Sequence, residues 1–74
     1  MLKIIQIGST YEVRVESSNK LIGHFTPEVD GFFYFSVEQY NGGVWSDYAL
    51  LEIGNKLKEI NQPWVDKLNK EFSN

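Results

Sequence analysis

Between Val37 and Asp47 the apolar residues change period, from two to about 3.6, and that switch most narrows what the chain can fold into. Before it, Leu2 to Ile7 is a short β-branched run closed by Gly8-Ser9-Thr10, and Tyr11 to Glu16 alternates with Tyr11, Val13 and Val15 on one face. Ser17-Ser18-Asn19-Lys20 supplies turn chemistry, Leu21 to Thr26 forms a third run ended by Pro27, and Asp30-Gly31 favours a hairpin into Phe32 to Val37. Short connections make these four strands antiparallel. After the switch, Ser46 is placed to cap a helix from Asp47 to Ile60, whose stripe of Ala49, Ile53, Leu57 and Ile60 faces the sheet. Pro63 interrupts the pattern and predicts a second, shorter helix over 63–72 carrying Trp64, Leu68 and Phe72. Gly54, costly inside a helix, points to a close neighbour there, with simple tolerance of the glycine as the alternative.

Strands followed by helix indicate an α+β domain, an antiparallel four-stranded meander covered by one C-terminal helix, rather than alternating α/β. The 74 residues fit one domain with one core. A chain this short buries only roughly 60% of its unfolded surface, and with no cysteine it has no disulfide or thiolate metal site to staple it. Packing and self-association remain as stabilisers, and the 15% aromatic content supplies material for both. Met1 to Gly8 lacks the pattern of a signal peptide, and no apolar run approaches the ~20 residues of a membrane span, so the expectation is a cytoplasmic protein without a membrane role.

Net charge is −3, and the basic residues are dispersed at Lys3, Arg14, Lys20, Lys56, Lys58, Lys67 and Lys70. Binding nucleic acid draws on concentrated positive charge, so a nucleic-acid partner is not expected. Catalytic patterns are equally thin. His24 is the sole histidine and reads as a structural or solvated side chain inside a strand. Glu28 with Asp30, and Glu12 with Glu16, read as solvated carboxylates, and two carboxylates before an apolar run fall short of a hard-cation site. No catalytic residue, metal or cofactor is assigned.

Two features point to binding. Asn41-Gly42-Gly43-Val44-Trp45-Ser46 is a glycine-bearing loop entering a helix, a candidate anion or ligand loop through Asn41, Gly42, Gly43, Trp45 and Ser46, although no Walker lysine follows and Asp47 repels anions. The Phe32–Val37 strand is apolar on both faces, with Phe33, Phe35 and Val37 on one and Phe32 and Tyr34 on the other. One helix covers one face. The other needs the terminal helix, a partner or a second copy, which makes Phe32 and Tyr34 the candidate interaction surface and a homodimer the expected assembly. Stacking of single-stranded bases on these rings, or ligand binding at the Gly42-Gly43 loop, is the alternative use.

Gly23-His24-Phe25, Asp30-Gly31-Phe32-Phe33-Tyr34-Phe35, Gly42-Gly43-Val44-Trp45-Ser46 and Leu51 to Asn61 together resemble small uncharacterised proteins of marine bacteriophages. That resemblance implies a phage or marine microbial origin and, with it, a host protein as partner in the host cytoplasm. The Asp-Gly turn leading into an aromatic strand and a helix is also similar in architecture to HicB-type antitoxin domains. The chain lacks their Pro-Gly-Cys turn between strand and helix, and no appended DNA-binding segment lies within the 74 residues.

Overall fold

A computed structural model of the chain describes residues 1–38 and 46–72. Four strands, β1 (Leu2–Ile7), β2 (Thr10–Val15), β3 (Leu21–Pro27) and β4 (Phe33–Val37), form one antiparallel sheet in the order β1-β2-β3-β4. One helix, α1 (Asp47–Phe72), covers one side of it. The α+β meander is therefore as expected, with strand ends moved by a residue: β2 starts at Thr10, β3 takes in Pro27, and Phe32 stands outside β4.

Each hairpin follows from its turn residues. Gly8 alone has positive φ (60°) in the two-residue loop between Ile7 and Thr10, the requirement of a type II′ turn. Asn19, at φ 61°, closes the β2–β3 loop, and its N–H donates to the Val15 carbonyl at 2.7 Å. Gly31, at φ 90°, ends the three-residue loop Val29-Asp30-Gly31, where Glu28 N–H donates to the Phe32 carbonyl at 2.9 Å. Pro27 keeps its place in the ladder because its nitrogen faces beyond the first residue of β2.

The core is small. Val13, Ile22, Phe25 and Ile53 are buried, and each contributes roughly 1.5–3 kcal/mol by leaving water. Leu2, Ile4, Tyr11, Val15, Phe33, Phe35, Leu57 and Ile60 pack around them. Ile22 enters this set through a bulge: Val13 pairs with Gly23 and Arg14 with Leu21, so Ile22 is the extra residue and turns onto the helix side. Gly23 then leaves room for the ring of Phe35, which meets Phe25 edge to face at 5.9 Å.

The helix corrects two expectations. It does not stop at Ile60, and no separate helix begins at Pro63; 26 residues run through the proline without a break. The stripe explains this, since Ala49, Ile53, Leu57, Ile60 and Trp64 continue at steps of four, four, three and four. Pro63 and Glu59 are both exposed, so the carbonyl four residues before the proline, which lacks its intrahelical donor, lies on the watered side. Gly54 has no close neighbour either, because a Cβ built there meets nothing within 4 Å. At the start of α1, Ser46 Oγ accepts from the Ala49 N–H at 3.2 Å, the expected cap.

Side chains of α1 also hold both edges of the sheet. Glu52 Oε2 accepts from the Leu2 N–H of β1 at 2.9 Å. Asn61 takes Phe33 of β4 in both directions, Oδ1 accepting its N–H at 2.7 Å and Nδ2 donating to its carbonyl at 3.1 Å.

Candidate interaction surface

The β3–β4 turn places Glu28, Val29 and Asp30 beside Tyr34, four residues on, and together they line an open groove of about 440 Å³. Val29 at its tip is fully exposed, and Tyr34 is 48% exposed. Asp30 organises the turn: one carboxylate oxygen accepts the Tyr34 hydroxyl and the other accepts the Phe32 N–H at 2.9 Å. The Tyr34 hydroxyl, followed by that N–H, holds the Asp30 carboxyl below its ordinary range, and the same carboxylate pushes the Tyr34 phenol up. The groove thus has the carboxyl groups of Asp30 and Glu28, an aromatic wall and an apolar tip.

The pair singled out in the sequence is divided. Tyr34 lies on the side of the sheet away from α1, whereas Phe32 is half-buried and meets the Trp64 ring edge to face at 6.4 Å. Trp64 anchors the helix beyond Pro63: its Nε1–H donates to the Asp30 carbonyl at 3.1 Å, and a Cβ on Gly31 would come within 2.6 Å of its ring. Lys67 Nζ sits 5.3 Å from the same ring. The terminal part of α1 is therefore the cover for Phe32. Sequence periodicity placed Trp64 at the head of a separate Trp64, Leu68 and Phe72 stripe and carried no signal that it meets the Asp30-Gly31 turn, or that Asn61 reaches Phe33.

Away from the groove, the face of the sheet opposite α1 carries a cross-strand row in which His24 pairs with Glu12 on one side and Ser36 on the other. Glu12 is engaged by Arg14, whose Nε donates to it at 2.9 Å and lowers its pKa, while Arg14 also donates to the Asn19 carbonyl at 2.8 Å. Glu16 falls past the end of β2 and does not share that row. Asn41, Gly42, Gly43 and Trp45 of the candidate ligand loop lie outside the described residues; Ser46 is the helix cap. Among the described residues no three or more His, Asp or Glu side chains gather to hold a metal ion, and no helix is long and apolar enough to cross a membrane. Compared with protein-family models, curated proteins and solved structures, the chain gives no significant match.

Proposed function

We propose that this chain is a small non-enzymatic interaction domain that associates with a second copy of itself and, as a phage accessory protein, with a host protein. One observation carries the reading: Tyr34 walls an open groove on the face of the sheet away from α1, beside a fully exposed Val29. Aromatic and aliphatic side chains held at a rigid turn are the anchors from which interface cores are built. The dispersed basic residues and the net charge of −3 support a protein rather than a nucleic-acid partner. The host assignment draws on the resemblance to phage proteins alone.

Light scattering across a dilution series tests the self-association. The expected mass of the wild type rises toward twice the 8.6 kDa of the chain, and Val29→Ser with Tyr34→Ser returns it to one copy. Phe32 is left intact because it supports Trp64. A wild type that keeps a single-copy mass at every concentration, or a variant that assembles as well as the wild type, ends this reading of the groove.

A further inference from the structure

Backbone parity along β4 defines an edge. Glu28 N–H donates to the Phe32 carbonyl and Glu38 N–H to the Ile22 carbonyl, both at 2.9 Å, so the even-numbered residues of β4 bond to β3. Phe33, Phe35 and Val37 therefore turn their N–H and carbonyl groups outward. At Phe33 both outward groups are taken by the Asn61 amide, at 2.7 and 3.1 Å. Those are the two bonds that a residue of a fifth antiparallel strand would make at a hydrogen-bonded pair. Asn61 stands in for that residue, while among the described residues nothing takes the outward groups of Phe35 and Val37.

A second β4 fits this edge. In a two-fold pairing centred on Phe35, each Phe33 meets the partner's Val37 and the two Phe35 residues meet each other, all on the side of the sheet that faces α1. Tyr34 falls opposite the partner's Ser36 on the other side of the sheet. Two of the three hydrogen-bonded pairs in this register need the Phe33 groups that Asn61 occupies. A register centred on Val37 avoids Phe33 but runs past the end of the strand.

We propose that Asn61 is a guard on the β4 edge, closing a strand-pairing surface whose fitting partner is β4 of a second copy. The amide is tethered to the same chain, so it competes at high effective concentration with any incoming strand. Natural sheets block their edges by such devices, because a bare edge is a template for uncontrolled pairing. The inference is independent of the groove at Tyr34 and names the surface that wild-type assembly does not use.

Hydrogen exchange and mass test it together. In the wild type, the Phe35 and Val37 amides exchange fast at every concentration, while Tyr34 and Ser36 stay protected. Asn61→Ala, made in a Gly54→Ala, Val29→Ser, Tyr34→Ser background that supports the helix and silences the groove, doubles its mass with concentration and slows Phe35 and Val37. Adding Val37→Pro returns it to a single copy, since proline removes the outward donor and is tolerated at an edge. A folded Asn61→Ala variant that stays single-copy overturns the proposal, as does assembly that survives Val37→Pro. So does wild-type protection of Phe35 and Val37 that grows with concentration, a measurement that needs no variant. A single-copy wild type with fast Phe35 and Val37 exchange defeats the groove reading alone.

Discussion

Gly23 has no side chain, and the space one would fill is already taken. A Cβ there would run into the Ser36 carbonyl and come within 2.6 Å of the Phe35 ring. The ring can shift; the backbone carbonyl of a paired strand cannot do so cheaply. Gly23→Ala is expected to destabilise the fold by roughly 1–3 kcal/mol, the range for overpacked interiors, read as a lower urea midpoint. Asp30 supplies a pH signature. Its folded pKa is depressed, by the Tyr34 hydroxyl first and the Phe32 N–H second, so its contribution is in full above the unfolded aspartate pKa of about 3.9. It is lost as pH falls through the lower folded value. The urea midpoint of the wild type should therefore drop more between pH 5 and pH 2 than that of Asp30→Asn. Equal drops would show that the Asp30–Tyr34 contact is not made in solution.

Among the elements, α1 separates what was legible in the sequence from what was not. Its start, its sheet-facing stripe and the four strands followed from turn residues and periodicity, because those are local signals. Its length did not. Pro63 marks a helix break in local terms, yet Trp64, one residue on, has a docking site at the Asp30-Gly31 turn, and the Gln62–Asp66 hydrogen bond at 2.9 Å spans the proline. Ile22 is a similar case: strict alternation assigns it to the face opposite Phe25, and the bulge that reverses this arises in the pairing with β2. Phe32 looked like an outward ring of β4 for the same reason, although its partner is 32 residues away. Gly54 had the reverse fault. Helix propensity flags it, and a close neighbour is the natural explanation, but the site is open. Gly54→Ala should therefore stabilise α1 by about 1 kcal/mol, measured as a higher melting temperature with unchanged helical circular dichroism.

For the whole molecule, the radius of gyration of 13.8 Å exceeds the about 11 Å expected of a compact chain this long. The longest dimension, 46 Å, reflects a helix about 39 Å long laid over a small sheet. Tyr48, Leu50 and Leu51 near its start and Phe72 at its end remain exposed, while among the described residues four apolar side chains form the buried core. The three hairpins close over a few residues each, but the bonds from Glu52 to Leu2 and from Asn61 to Phe33 join positions 50 and 28 residues apart. Contacts at such separations form late, after the local pairings have gathered the chain. A growing polypeptide that has left the ribosome only as far as Val37 has every strand it needs and neither clasp. Until Asn61 emerges and closes on Phe33, the newest strand is open to the same strand on a neighbouring nascent chain, and synthesis rather than the finished fold is the interval of greatest exposure to mispairing.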